Sequence, residues 1–384
     1  MPRLISRPFQ PGDEGEIVAL YNLITGRDRT VEQHQWEWLE NPNYCNSMWV
    51  IVDKVTNKIV GHHGLLPIKL SIFGKTYLAG KTENTILHPD YKSGIYFLFE
   101  KRFFEEAKKT FDLLYTTSSY GVPRKIRERL GYQVVGKDEC YLRLASFRGF
   151  LFLSKIFFKK FKLPEFLAYL ISPLYIPIKI FSLQAKRLSS SHGLELKVFG
   201  SKAISPDLLA SLAECWKRNH SKHEITIDRS VEYFNWRIFQ NPYLSHRVFT
   251  FEDKGEVLGY AIFSVQEKMQ VKKGVLIDLF AKNDCQQMLS SLMHKGLRVL
   301  RAEDVSVFSA TTLGSGFNMS GLLKNLGFLP VNQLLGFYHK LFYKKTISQP
   351  TLLATIFNPK INLDEFFNGE NWYYNELFSE GISW

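Results

Sequence analysis

Between Lys81 and Lys109 the sequence gathers the groups best suited to holding a phosphate. The run Thr82-Glu-Asn-Thr-Ile-Leu87 reads as a β-strand, His88-Pro89-Asp90-Tyr91 as a turn, and Lys92-Ser93-Gly94 as a short loop opening an amphipathic helix. The helix has apolar residues at 95, 96, 99, 103 and 107. A strand, a tight glycine loop and a helix N-terminus together make an anion cradle. The first-turn N–H groups have no partner inside the helix, and the helix dipole adds positive potential. A pyrophosphate is expected on the main chain of Ser93, Gly94, Ile95 and Tyr96, with Lys92 as a point charge. The same residues also fit a plain turn glycine that holds nothing.

The elements that must position this segment recur along the chain. Asp28-Arg-Thr-Val-Glu32, Trp36 and Asn41-Pro42 are answered by Asp228-Arg-Ser-Val-Glu232, Trp236 and Asn241-Pro242, at an offset of 200 throughout. In each copy a hydroxyl residue ahead of a Glu marks a helix start. Trp49 to Gly61 and Val248 to Gly259 each read as a β-hairpin. Leu130-Gly131-Tyr132 and Leu326-Gly327-Phe328 each close a helical stretch, with Gly at the C′ position. The fold class expected is α/β with a mixed sheet, in two homologous domains at 1–145 and 194–345, joined by a connector at 146–193 and followed by a tail at 346–384. The Trp and Asn-Pro matches fit simple packing and helix termination.

His88-Pro89-Asp90-Tyr91-Lys92-Ser93-Gly94 resembles the acyl-CoA pyrophosphate loop of the GNAT (GCN5-related) N-acetyltransferase superfamily. Asp112 to Ser119 is similar to that family's fifth strand, and Tyr120-Gly121-Val122-Pro123 with the helix ending Leu130-Gly131-Tyr132 resembles its closing motif. The repeated Trp and Asn-Pro block looks like a subgroup found in tandem form. The resemblance covers residues 3 to 145 well and 194 to 345 in outline. Four departures stand out: the loop is one residue short, Lys92 replaces Arg, Tyr96 replaces a small residue, and Arg124 sits where many relatives have Asn.

The resemblance implies two tandem GNAT-like domains and a sheet whose fourth and fifth strands splay apart. The pantetheine arm of acyl-CoA, acetyl-CoA being the expected cosubstrate, would bond to the fourth strand at Thr85, Ile86 and Leu87, with Ser118 on the fifth. It implies direct transfer of an acyl group to a primary amine, the acceptor being an amino sugar or polysaccharide precursor. Such a reaction needs a neutral amine and so a general base. Glu83 is the candidate, and simple alternation puts Glu83, Thr85 and Leu87 on one face. It also fits a solvated strand residue. His88 and the pair His62-His63 come second. Relatives often place an acidic Tyr three residues before the Leu-Gly pair's Leu, where this chain has Arg127; Tyr120 or Tyr115 is the substitute. In the second copy Ala281-Lys-Asn-Asp-Cys-Gln286 has no Gly and sets Asp284 beside the would-be phosphate, so CoA is expected in the first copy alone.

The connector is basic and aromatic. Eight Lys and Arg against Glu165 leave +7 between 146 and 192, more than half of the chain's +12, and eight Phe share the segment. A membrane-interface segment and a helical hairpin packed between the domains both fit. With the charge concentrated there, nucleic acid is not an expected partner. His220-x-x-His223 lacks a recognisable third ligand, so no metal is expected; four scattered Cys form no CxxC pair. No Ser-His-Asp set, Walker loop or dinucleotide fingerprint is present. The expected location is the cytoplasm, with peripheral contact to the inner face of the membrane through 146–192. Loss of catalysis in both domains, leaving a binding scaffold, is the alternative, as is a membrane-associated acyltransferase using a lipid-linked or carrier-bound substrate.

Overall fold

The D-R-[ST]-V-E blocks start helices because their hydroxyl residues cap them. Thr30 accepts from the Gln33 N–H while the Gln33 side chain accepts from the Thr30 N–H, and Ser230 accepts from the Tyr233 N–H. The computed structural model describes residues 3–91, 94–119, 121–160, 164–176, 195–200, 203–220, 225–314, 319–331 and 350–379.

The first half runs β1 (Leu4–Pro8), α1 (Glu14–Thr25), α2 (Val31–Trp38), β2 (Met48–Asp53), β3 (Lys58–Ile72), β4 (Lys75–Leu87), α3 (Gly94–Ala107), β5 (Leu113–Ser119), α4 (Gly121–Arg129) and β6 (Gln133–Leu144). The connector supplies α5 (Phe147–Lys160) and α6 (Leu167–Leu170). The second half repeats the order with β7 (Glu195–Gly200), α7 (Pro206–Asn219), β8 (Ile225–Ile227), α8 (Val231–Phe234), β9 (Ser245–Asp253), β10 (Glu256–Lys268), β11 (Val271–Ala281), α9 (Gln286–Ala302), β12 (Val305–Leu313), α10 (Met319–Asn325) and β13 (Leu329–Pro330). The tail carries β14 (Thr351–Ile356) and the short α11 (Leu363–Phe366). β4 starts well before the expected residue 82. It is the return strand of a long hairpin from β3, whose turn is Phe73-Gly74, both at positive φ.

All these strands join one mixed sheet of 14 strands, whose main path is β1-β2-β3-β4-β5-β14-β6-β12-β11-β10-β9-β7. The two halves meet through strands that do not stay in their own half. β6 pairs with β14 over Gln133 to Lys137 and with β12 over Asp138 to Leu144. β14, from the far end of the chain, fills the gap between β5 and β6. The tail therefore completes the first half's sheet.

One face of the sheet carries α1, α2, α7 and α8 over a core common to both halves. The opposite face carries α3 over one core and α9 with α10 over another. At the centre of the common core Trp36 and Trp236 stack with ring centroids 5.2 Å apart. Each indole N–H donates to the other's main-chain carbonyl, Trp36 Nε1 to Trp236 O at 3.0 Å and Trp236 Nε1 to Trp36 O at 2.8 Å. The repeated Trp thus does more than pack its own helix; it joins the copies about a pseudo-twofold.

The copies balance their repeated arginine differently. Arg29 pairs with Glu37 of α2 at 3.0 Å, whereas Arg229 pairs with Asp278 of β11 at 2.7 Å, both fully enclosed. The second copy has Arg237 where the first has Glu37, and it donates to the main-chain carbonyls of Glu376 and Ser379 in the tail. Enclosed charges need a partner, and each half has found its own.

Candidate active site at the fork of the first half

β4 pairs with β3 along its whole length but with β5 only at Ala79↔Leu113, Gly80↔Leu114 and Lys81↔Tyr115. Beyond Lys81 the two parallel strands part. The fork opens between β4 residues 82–87 and the end of β5, and α3 begins just past the β4 tip. The segment leading to α3 is tied back at Tyr91, whose hydroxyl donates to Asp53 Oδ2 at 2.6 Å. Arg3 also grips Asp53 with two nitrogens, and these hydrogen bonds hold the Asp53 carboxyl well below the usual carboxylate range. The α3 backbone starts at Gly94, so Gly94, Ile95 and Tyr96 form its first turn. Lys92, Ser93 and Tyr120 lie outside the described residues, and Ser118 is placed as the penultimate residue of β5.

Glu83 is buried on the α2 face, opposite Gly64, where an added Cβ would strike the Trp38 ring. It does not share that face with Thr85 and Leu87. Asn84, at φ 48°, makes a bulge, so one extra β4 residue is accommodated between the pairs Gly64↔Glu83 and His62↔Ile86. Thr85 therefore turns to the α3 face, where its hydroxyl lies 3.1 Å from His63 Nδ1 and His63 stacks on Phe103. Ile86 returns to the common core and Leu87 abuts Gly61. The His62 Nδ1–H donates to the Asn84 carbonyl at 2.9 Å, and the Asn84 amide reaches Glu37 at 3.4 Å, so the bulge is fixed from both sides.

Sequence reasoning missed the neighbour that matters most to Glu83. Lys81, 1 % exposed, points to the same face and forms an ion pair with the Glu83 carboxylate. The i, i+2 spacing on a strand was the available signal. Tyr115, directly across from Lys81, is fully buried, its hydroxyl without a hydrogen-bond partner among the described residues, and its ring meets Phe378 of the tail edge to face. Burial holds the phenol well above its usual range. Proton transfer from such a phenol to a thiolate, whose conjugate acid has a pKa of about 8.5, is uphill. Tyr115 suits a hydrogen-bond donor better than an acid. Arg127 sits beneath α3, 3.8 Å from Glu100.

The His62-His63 pair is held neutral. Burial lowers His62 to about 4, lowers His63 well below its usual value, and with the charges of its neighbours lowers His34 of α2 to about 3. His246 in the second half is likewise pushed down to about 3 by burial. Each stays uncharged in the fold yet protonates in the unfolded chain near pH 6.5. Stability is therefore full above pH 6.5 and falls as the pH drops from there toward 3. The unfolding free energy from urea titration should be lower at pH 5 than at pH 7.5, by roughly 1–2 kcal/mol per histidine. His34→Phe, the residue the second copy has at position 234, should reduce that sensitivity; an unchanged pH profile would count against the assignment.

The second half has the same fork, and the chain itself fills it. β11 pairs with β12 only from Lys272 to Val275. Past that point the Tyr373 hydroxyl donates to the Leu279 carbonyl, Asn375 donates to Asp278 at 2.6 Å, and Thr311 of β12 donates to Glu376 at 2.7 Å. In place of a glycine loop, Lys282–Asp284 form a 3-10 turn with Asn283 and Asp284 at positive φ. His220 stacks on Trp216, and His223 lies outside the described residues. Among the described residues no group of three His, Cys, Asp or Glu side chains is placed to hold a metal.

No family's sequence model matches the chain, and no curated protein's sequence does. Solved structures do match. Yeast (Saccharomyces cerevisiae) N-myristoyltransferase with bound myristoyl-CoA aligns at 13% identity over 100% of this chain and 86% of its own, with a TM-score of 0.60. A GCN5-related N-acetyltransferase from Anabaena variabilis aligns at 12% identity over 93% and 73%, TM-score 0.57. A tandem GNAT protein of the clavulanic acid biosynthesis pathway aligns at 12% identity over 93% and 99%, TM-score 0.55. The fold is a GNAT fold in tandem. Within it the described fork between β4 and β5 lies where the sequence resemblance places the splayed strands, and the D-R-[ST]-V-E helices lie at the contact between the two GNAT units.

Proposed function

We propose that the chain is an acyl-CoA-dependent N-acyltransferase whose first GNAT unit binds the donor and whose second unit shapes the acceptor side. The observation that carries this reading is the contrast between the forks: the first parts beside a helix N-terminus, while the second is filled by Tyr373 to Phe378. The residues present fit acyl-CoA. The α3 first turn offers N–H groups to a pyrophosphate, and β4 past Lys81 has no β5 pairing to compete with a pantetheine amide.

In this reading the nitrogen of a neutral primary amine attacks the thioester carbonyl, Glu83 takes the ammonium proton, and the C–S bond breaks to release thiolate. A thiolate leaves without strong acid help, consistent with Arg127 standing where relatives have Tyr. Acetyl-CoA is the donor and an amino sugar or polysaccharide precursor the acceptor. A second reading, a GNAT-like binding protein without turnover, is favoured by Lys81, whose ammonium competes for the Glu83 carboxylate.

The test is thermal stabilisation by acetyl-CoA, run alongside myristoyl-CoA. At 100 times the dissociation constant, binding adds about 2.7 kcal/mol, an upward shift easily read. Gly94→Glu sets a carboxylate at the phosphate end of α3 and should abolish the shift. No shift at millimolar donor would overturn the reading, and a shift without turnover on any amine would favour the binding protein. A larger shift with myristoyl-CoA would replace acetyl by a long acyl group.

A further inference from the structure

The described parts of the connector, α5 and residues 164–176, pack side by side on the second half. α5 buries Phe150, Phe152 and Phe158, and Gly149 lets it approach the sheet so closely that an added Cβ would strike the Ser306 carbonyl. The returning limb, residues 164–176, lies along α5: the Tyr175 ring contacts Phe147 and Phe150, and Lys155 Nζ sits 5.0 Å over the Tyr169 ring. This outer limb buries only Ala168 fully. Phe166, Tyr169, Leu170, Leu174 and Ile176 are 54–68% exposed, although apolar side chains on a packed limb normally face inward. Of 17 exposed large hydrophobic side chains among the described residues, seven fall between Phe147 and Ile176. That clustering is not the scatter of an ordinary surface. Beside it Met269, 73% exposed, stands at the tip of the β10–β11 hairpin.

Charge accompanies the exposed apolar groups. A groove of about 340 Å³ between α5 and the hairpin is lined by Arg148, Lys155 and Lys159 against one acid, Glu165, over a floor of Leu151, Phe152 and Ile156. Apolar residues flanked by basic ones match the boundary of an anionic bilayer, where acyl chains meet phosphates. A water-soluble acidic protein would satisfy the charges but not five neighbouring exposed apolar side chains. Among the described residues no helix is long and apolar enough to cross a membrane, so the contact is one of lying on the surface.

We infer that residues 147–160 and 164–176, with the Met269 hairpin tip, form a docking surface for an anionic phospholipid membrane. The inference rests on exposure and charge and is independent of the acyl-transfer reading. Flotation of the full chain with vesicles of phosphatidylcholine alone, or with about 30% phosphatidylserine, tests it. The protein should float with the anionic vesicles and stay below with the neutral ones. Lys155→Glu/Lys159→Glu should lower partitioning by roughly fivefold or more per residue. Leu170→Ser/Leu174→Ser should lower it too without moving the melting temperature, since both side chains are already exposed. Failure to float with anionic vesicles, or flotation unaffected by both variants, overturns the proposal. So does a dimer in light scattering that Leu170→Ser/Leu174→Ser dissociates, because it would give this face to a second copy.

Discussion

Glu83→Gln is expected to lower turnover on the order of 10²- to 10⁴-fold, the range attributable to a lost general base. Affinity for acyl-CoA should change little, because the proposed function has the donor held by the α3 first turn and the β4 main chain. The complication is Lys81. Removing the negative member of an enclosed ion pair costs on the order of 3–5 kcal/mol, enough for a loss of folded protein to lower the activity by itself. The pair Lys81→Met/Glu83→Gln separates the two. Replacing both charges by neutral groups of similar size should recover much of the melting temperature and none of the turnover. A double variant that turns over at the wild-type rate would remove Glu83 as base. One that binds acyl-CoA normally and is inactive would assign the pair to chemistry.

The second large effect is expected at the centre of the molecule. Trp36→Ala and Trp236→Ala should each destabilise by about 3–5 kcal/mol, the usual cost of deleting an enclosed large aromatic side chain. Each also removes one of the two reciprocal indole-to-carbonyl hydrogen bonds. Because the rings stack on each other, the double variant should cost less than the two singles together, with a coupling of about 0.5–3 kcal/mol. Urea unfolding of the four proteins measures this. Strictly additive losses would show that the indoles pack independently and that the pseudo-twofold contact is incidental.

These two sites also show what the sequence could and could not disclose. The repeat was plain, since Trp36 and Trp236 stand 200 residues apart within matching blocks. Their contact was not, because a repeat says that two positions are equivalent and is silent on whether they touch. Glu83 could be placed on a strand beside a helix N-terminus. Its true face could not, because alternation presumes a regular strand and Asn84 breaks the register. Lys81 went unnoticed for a general reason: a lone lysine reads as solvated, and only tertiary packing reveals one enclosed with a carboxylate. The strand Thr351–Ile356 lies in a tail for which the sequence reading named no strand, and its partners β5 and β6 lie more than 200 residues earlier. Nothing local points to them.

The position of β14 bears on how the molecule is assembled. During synthesis β5 and β6 emerge early, but the strand that belongs between them follows only after the whole second half. Until then the first half holds an open slot with two unsatisfied strand edges, the kind of surface that invites wrong pairing. Closing it joins segments far apart in sequence, which is slow. The two GNAT units are thus equivalent in architecture but not separable in time: the earlier one is finished by the later one's trailing segment, and neither is a free-standing piece. A chain interrupted anywhere before residue 351 would leave the candidate donor site standing beside an unfinished sheet.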